Sequence, residues 1–484
     1  MPPWIPLLAH LLIEAAVLSR VLLRRHRAPS ARLAWVAVVL SVPLLGALAY
    51  LLLGELNLGR GREGRHREIT RGLPVPRAGR AAEIPADALP AAEASLFRLA
   101  DGVNGYPPTA GNAVELLPGG DPDAAAMVEE IDRATSRVHV LFYIWLDDPT
   151  GRRVADALQR AAARGVTCRA MVDGLGSRGL VGSGTWAAMQ DAGVRCGVTP
   201  PLRNPLQWAL RPFLRRTDLR NHRKLLTVDG RVAFLGSRNC ADPAFAPKAR
   251  FGPWVDVLTR VEGPVVAQVD HLFACDWSTD VDEPPEDVLR GAPPPGEAVE
   301  LGGVPTAFFG TGPQSRGSAM PEAFASLFGL ACETLTVSTP YYVPNEAIQT
   351  ALCSAARRGV RVKLVVPARN DSWIVGGASR SFYEELLDAG VELFEFHGGL
   401  LHAKTAVADG VLAMVGSANL DRRSFELNSE NNLLVHDAAF AASVRARQDR
   451  FLADATPVTA EAVAAWPRWR HAWNNTLAML SPVL

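Results

Sequence analysis

Two stretches of this chain, HRKLLTVDGRVAFLGSRN at 222–239 and HAKTAVADGVLAMVGSAN at 402–419, carry the same polar residues in the same register. In the first, Lys224 lies two residues after His222, Asp229 lies five after the lysine, Ser237 completes a Gly-Ser pair, and Asn239 stands two beyond it. His402, Lys404, Asp409, Ser417 and Asn419 repeat that spacing. An imidazole can attack phosphorus or pass a proton, while ammonium, hydroxyl and amide groups offset charge on phosphate oxygens. The doubled set therefore suits a phosphate in transfer, with one imidazole attacking and the other protonating the departing oxygen. Lys and Arg together number 50, yet the only lysines are Lys224, Lys248, Lys363 and Lys404, so half of them sit in the two motifs. A compact ammonium enters a tight phosphate site where a guanidinium fork would not.

The elements that must position these groups follow from the local pattern. HRKLLTV and HAKTAVA are apolar-rich runs, each followed by Asp-Gly and a second apolar run, which predicts a strand, a tight turn and a returning strand. Residues two apart on a strand share a face, so His222 points with Lys224 and His402 with Lys404. Asp229 and Asp409 are candidates for the chemistry, although Asp before Gly is also favoured at turns for backbone reasons.

Around the motifs the chain reads as α/β and repeats itself. The first half predicts strands at 137–145 and 167–172 and helices at 154–164 and around 186–192. The second predicts strands at 334–338 and 361–366 and helices at 347–358 and 379–389. Arg164-Gly165-Val166 matches Arg358-Gly359-Val360, Asp191-Ala192-Gly193-Val194 matches Asp388-Ala389-Gly390-Val391, and the motifs follow 180 residues apart. The expectation is two like domains, 91–285 and 297–484, packed with pseudo-twofold symmetry so that each motif supplies half a site. An acidic, proline-rich seam at 280–296 joins them, and a linker at 73–90 precedes them.

At these residues the chain resembles the phospholipase D superfamily, whose signature is a duplicated HxKxxxxD with a following GSxN. Within it the chain is similar to the bacterial cardiolipin synthases. The closer likeness rests on NHRK at 221–224, FYIW at 142–145, TPYYVP at 339–344, ASRSFYEELLDAGV at 378–391 and GSANLDRRSFELNSE at 416–430, and it covers nearly the whole chain. The resemblance implies that one histidine is attached covalently to phosphorus, expected here to be His222, while His402 serves as acid and base. It also implies an acid downstream of each motif that holds an imidazole, and Asp256 and Glu430 match in context. The implied reaction passes a phosphatidyl group from one phosphatidylglycerol to another, giving cardiolipin and glycerol, with hydrolysis to phosphatidate as the alternative. No cofactor or metal is implied. Val255 stands where the family more often has Arg beside the acid, which puts one contact there in doubt.

Composition sets the remaining bounds. The formal net charge is zero, so no global electrostatic argument points to nucleic acid. Six cysteines are scattered without CxxC pairs or zinc spacing and read as ordinary reduced residues. Residues 1–72 read as a membrane region with helices at about 4–23 and 33–53. Leu33 to Leu53 is uncharged and as a helix spans about 31 Å, matching a hydrocarbon core of roughly 30 Å. Trp4 to Leu23 is the poorer span because Glu14 lies inside it, and the residues alone read equally as an interfacial helix. Arginines fall between the segments (Arg24, Arg25, Arg27, Arg32) and after them (Arg60, Arg62, Arg65, Arg67, Arg71). The family expectation is a helical hairpin in the bacterial inner membrane with the catalytic part facing the cytoplasm. Arg203, Arg211, Arg215, Arg216 and Arg220, interleaved with Trp208 and Phe213, suit an anionic membrane surface or an ordinary basic loop. The tail from Trp466 reads either as an interfacial patch or as a docked helix.

Overall fold

The computed structural model describes residues 4–24, 29–55, 59–77, 82, 84, 88–200, 218–291 and 303–479. The basic stretch containing Arg203, Arg211, Arg215, Arg216, Trp208 and Phe213, the residues Arg25 and Arg27, and the end of the seam and parts of the linker lie outside the described residues.

Seven strands recur in each half. The first supplies β1 (Thr109–Leu116), β2 (Arg137–Phe142), β3 (Thr167–Asp173), β4 (Arg195–Thr199), β5 (Lys224–Val228), β6 (Val232–Gly236) and β7 (Leu258–Glu262). The second supplies β8 (Val304–Thr311), β9 (Thr334–Ser338), β10 (Arg361–Pro367), β11 (Glu392–Phe396), β12 (Thr405–Ala408), β13 (Leu412–Gly416) and β14 (Asn428–His436), with β15 (Ala455–Val458) at the edge. They form one sheet in the order β4-β3-β2-β5-β6-β7-β1-β8-β14-β13-β12-β9-β10-β11-β15. Read outward from β1 and β8, the two arms are the same sequence of strands, which is the pseudo-twofold arrangement the repeat predicts. β1 and β8 pair antiparallel, Thr109 opposite Thr306 and Asn112 opposite Val304, so the seam between halves is itself a ladder.

Parallel pairs such as β2–β3 and β9–β10 need crossover helices, supplied by Pro149–Ala163 and Glu346–Arg357. Asp148 caps the first by accepting from the Gly151 N–H at 2.9 Å, and Asn345 caps the second by accepting from that of Ile348 at 3.1 Å. The single helix expected at 379–389 is two, Trp373–Arg380 and Tyr383–Asp388. The halves share a core. Leu225, Leu235, Phe273 and Trp277 of the first pack in one cluster with Phe308, Leu401, Val415 and Leu433 of the second. Helix Ala91–Asn104, expected to open the first domain, instead buries Leu96, Phe97 and Ala100 in the second half's cluster with Phe309 and Phe324. Its apolar face is complementary to β8 and helix Ala319–Leu330, a pairing that local sequence does not specify. The tail helix Arg468–Met479 docks, burying Asn474 and Leu477 and stacking Trp473 on Trp373 at 5.9 Å, while Trp469 stays exposed.

The membrane region departs from expectation in one respect. Helix Trp4–Leu23 is long and apolar enough to cross a membrane, whereas the span expected at 33–53 is broken into Pro29–Ser41, Pro43–Ala49 and a π-helical turn, Tyr50–Gly54. The break falls at Val42 (φ −139°, ψ 74°), because a residue before proline is disfavoured in the α region. Glu14, the reason for doubting the first segment, lies 3.8 Å from His10. The segments pack as a helical hairpin around Val17, Val21, Trp35, Val39 and Tyr50. Within the second arm, Gly46 permits the close approach of Pro43–Ala49 to Pro29–Ser41 across the break, since a Cβ there would sit 2.5 Å from the Val38 carbonyl oxygen. Arg20 clamps Glu55 with two hydrogen bonds of 2.6 and 2.8 Å.

Candidate active site

Each motif is built as a lead-in, a strand, a turn and a returning strand. β5 and β6 pair antiparallel, as do β12 and β13. The turn residues take the positive φ values such a hairpin requires: 52° and 65° at Asp229 and Gly230, 50° and 68° at Asp409 and Gly410. Ahead of each motif a two-residue strand crosses to the other half. Arg220–Asn221 runs parallel to β14, with Asn221 opposite Ser429, and Leu400–Leu401 runs parallel to Trp254–Val255, with Leu401 opposite Val255. One residue further along each register, His222 meets Glu430 and His402 meets Asp256.

The contacts are direct. His222 Nδ1 lies 2.9 Å from both carboxylate oxygens of Glu430, and His402 Nδ1 lies 2.6 Å from Asp256 Oδ1. A carboxylate on Nδ1 fixes the ring and leaves Nε2 to face the cavity. Thus each imidazole is held by an acid from the other half. Sequence matched the acids to the motifs but not this crossing, which depends on long-range register. Aromatic rings flank both, Tyr143 at 4.8 Å from His222 and Trp254 at 4.7 Å from His402.

Both imidazoles open on one cavity of about 380 Å³, also lined by Asn239, Asn419, Arg220, Lys248, Tyr341, Asp371, Asp421, Arg422 and Arg423. Among the described residues Asn239 Nδ2 is buried with no partner, a donor available to an incoming oxygen. Lys224 and Lys404 are buried beneath, each Nζ donating to its own motif's histidine carbonyl, at 2.5 and 2.6 Å. Burial lowers the Lys224 ammonium well below its ordinary value and the Lys404 ammonium to about 8. It also lowers both imidazoles, His222 to about 3, with the two lysines adding to the effect. Although burial opposes it, His402 and Lys404 hold the Asp256 carboxylate down to about 2, and His222 and Lys224 likewise hold Glu430 low. The empty site therefore contains two neutral imidazoles on ionised carboxylates, above two buried lysines whose ammonium forms burial disfavours. That is an anion site with a nucleophile and a proton carrier.

Two expectations need correction. Asp229 and Asp409 do not reach the cavity. Asp229 accepts from the backbone N–H groups of Thr135, Ser136 and Arg137 at 2.8–2.9 Å, and Asp409 from those of Cys332, Glu333 and Thr334 at 2.8 Å. They tie each hairpin turn to the start of the neighbouring strand. Ser237 and Ser417 do not offer their hydroxyls to the cavity either. They donate to Asp256 (2.6 Å) and to Glu430, and accept from the Val257 and Asn431 N–H groups. Groups missed at the motif level include Asp371, which accepts from Tyr341 Oη at 2.7 Å and pairs with Lys248 at 2.5 Å. The signal for Lys248 was its rarity as a lysine. Asp421, raised by burial to about 6, also lines the cavity. Among the described residues no group of three or more His, Cys, Asp or Glu is placed to hold a metal ion.

The family described as "Cardiolipin synthase, PLD-like domain" matches residues 127–277 and 325–452, and "Phospholipase D-nuclease N-terminal" matches 15–55. The chain is 36% identical to cardiolipin synthase A of Cronobacter sakazakii and 35% identical to that of Citrobacter koseri, in each case over 99% of this chain and 98% of the relative. Among solved structures it is similar in fold to the phosphatidylserine synthase of Haemophilus influenzae, with a TM-score of 0.58 at 15% identity, covering 80% of this chain and 100% of that one.

Proposed function

The chain belongs to the cardiolipin synthase family of phospholipase D-like enzymes and is a phospholipid transferase, and from that premise we propose that phosphatidylglycerol is both its donor and its acceptor, with a phosphohistidine between the two half-reactions. The observation that carries the proposal is the crossed pair, His222 on Glu430 and His402 on Asp256, opening on a single cavity.

In the first step His222 Nε2 attacks the phosphorus of one phosphatidylglycerol. A nitrogen–phosphorus bond forms, the bond to the glycerol oxygen breaks, and protonated His402 gives its proton to that oxygen, so glycerol leaves. In the second step the head-group hydroxyl of another phosphatidylglycerol gives its proton to His402 and attacks the phosphorus. The nitrogen–phosphorus bond breaks, cardiolipin forms and both imidazoles return to their starting state. We take His222 as the nucleophile; burial and the two lysines keep its ring neutral, as they do that of His402 in the empty site. The entering phosphodiester anion favours the imidazolium at His402, offsetting the burial that lowers it in the empty site. Asn239 and Asn419, which line the cavity, offset charge developing on the equatorial oxygens, with the lysines acting from beneath to the extent that they are protonated.

Purified protein incubated with phosphatidylglycerol in mixed micelles, without added metal, tests the reading. Equal yields of cardiolipin and glycerol are expected. Phosphatidate in place of cardiolipin would make the protein a hydrolase, and no turnover would make it a lipid-binding protein. The hydrophobic hairpin associates the chain with a membrane, and we place the catalytic halves on the cytoplasmic side of the inner membrane, supported by the five arginines that follow the hairpin. Exposed Cys332 should then react with a membrane-impermeant maleimide in inverted vesicles and stay unlabelled in right-side-out ones. The reverse pattern would overturn that orientation.

A further inference from the structure

Transfer between two phospholipids puts two phosphates into one cavity, the reacting phosphate between the imidazoles and the acceptor's own phosphate, three carbons away from the attacking hydroxyl. The second is an anion as well, and a buried anion without a partner is costly to desolvate. A cation near the reacting centre, not already committed to a carboxylate, is therefore required.

Among the described residues, four cationic side chains line the cavity besides the motif residues: Arg220, Lys248, Arg422 and Arg423. Lys248 is tied to Asp371 at 2.5 Å, and Arg422 to Glu426 at 2.9 and 3.2 Å. Arg423 reaches across to the segment before the first motif, donating to the Asp218 carbonyl and lying 3.6 Å from its carboxylate. Arg220 differs. Its guanidinium donates to the Leu219 carbonyl at 2.8 Å and lies in the field of the buried Asp173 carboxylate, but among the described residues it forms no ion pair.

Its position fits the second phosphate. Arg220 and His222 are alternate residues of one extended stretch that follows β14, so they share a face, about 6–7 Å apart along the chain. Both open on the same cavity. A three-carbon bridge with its two ester oxygens has a similar reach between phosphorus atoms. Arg423, anchored on Asp218, brings a second guanidinium to the same side.

We propose that Arg220, assisted by Arg423, holds the unreacting phosphate of the acceptor and so makes the enzyme prefer a phospholipid acceptor over water or a simple alcohol. This rests on phosphatidylglycerol being the acceptor. The planar fork suits a phosphodiester because it can donate two parallel hydrogen bonds.

The test uses the full-length protein in phosphatidylglycerol mixed micelles with ethanol present, so that both acceptors compete for one donor. Cardiolipin and phosphatidylethanol are measured in the same incubation. For Arg220→Ala the ratio of cardiolipin to phosphatidylethanol should fall about tenfold or more, the loss expected when a charge-assisted contact is removed. Arg220→Lys should fall between. If the Ala variant does not fold, Arg220→Gln and Arg423→Ala apply the same ratio. A ratio unchanged in variants that fold, whether both products drop together or neither does, would overturn the proposal. Wild-type protein that makes phosphatidylethanol and phosphatidate but no cardiolipin would instead overturn the acceptor assignment, and the subsite with it.

Discussion

At the level of single residues, two kinds of carboxylate do different work. Glu430 and Asp256 hold imidazoles, whereas Asp229 and Asp409 hold backbone. Replacing Glu430 with Gln, or Asp256 with Asn, should lower kcat about 100-fold or more while the unfolding midpoint changes little, because orientation and imidazolium support are lost. Asp229→Ala should do the opposite. It removes the acceptor of three backbone N–H groups, of which only that of Arg137 is part-buried, costing about 1 kcal/mol of stability, while the folded fraction turns over normally. Activity and denaturation measured on the same preparations separate the two. Titration offers a second check. An ordinary imidazole value near 6.5 does not describe this site, since burial lowers both rings and takes His222 to about 3. The substrate anion favours imidazolium at His402, so the alkaline limb of kcat should lie at higher pH than that of kcat/KM. Lys404, lowered to about 8, is protonated below that pH and neutral above it, so inhibition by inorganic phosphate should weaken as pH rises through about 8. Coincident profiles with phosphate inhibition flat across that range would contradict this reading. The motif spacing made His222, Lys224, His402, Lys404, Asn239 and Asn419 legible in the sequence. The buried roles of Ser237 and Ser417 were not, because a hydroxyl's direction depends on which carboxylate folds back beside it.

At the level of elements, the two-residue lead-in strands carry each histidine across to the opposite acid. Strands this short have no periodicity to read, so the crossing was invisible in the sequence although both acids were found. The helix Arg60–Gly72 was also missed, since its many arginines suggested charge placement instead of docking. It binds the first half through Arg62, which gives Asp280 two hydrogen bonds of 2.7 and 2.8 Å, and through Arg65, which donates to the Ser278 and Val281 carbonyls. Asp280 is buried, so Arg62→Ala leaves an uncompensated carboxylate and should cost about 3 kcal/mol. A lowered unfolding midpoint in detergent, restored in part by pairing the change with Asp280→Asn, is the expected result. An unchanged midpoint would mean that the helix is not fastened there. The break before Pro43 was legible in principle, because proline disfavours the α region in the residue before it, but uniform hydrophobicity from Leu33 to Leu53 outweighed it.

At the level of the whole molecule, duplication explains the architecture. Neither half holds a complete site, since each imidazole depends on the other half's acid and the sheet runs unbroken through β1 and β8. The repeat announced two like halves and a shared pocket. It could not announce that helix Ala91–Asn104 packs on the second half, because that choice is made between surfaces distant in sequence. The central claim is that the halves close on one phosphate, with His222 attacking and His402 handling the proton. Covalent trapping tests it most directly. A His402→Ala variant, given a phosphodiester donor whose leaving group needs no proton, should form the nitrogen–phosphorus bond and then stall for want of a base to activate the acceptor. Quenched under alkaline conditions and mapped by mass spectrometry, the adduct should lie on the peptide containing His222 and be absent from His222→Ala. An adduct on His402 in the wild-type protein, or turnover of the same donor with no adduct at any time, would contradict the account.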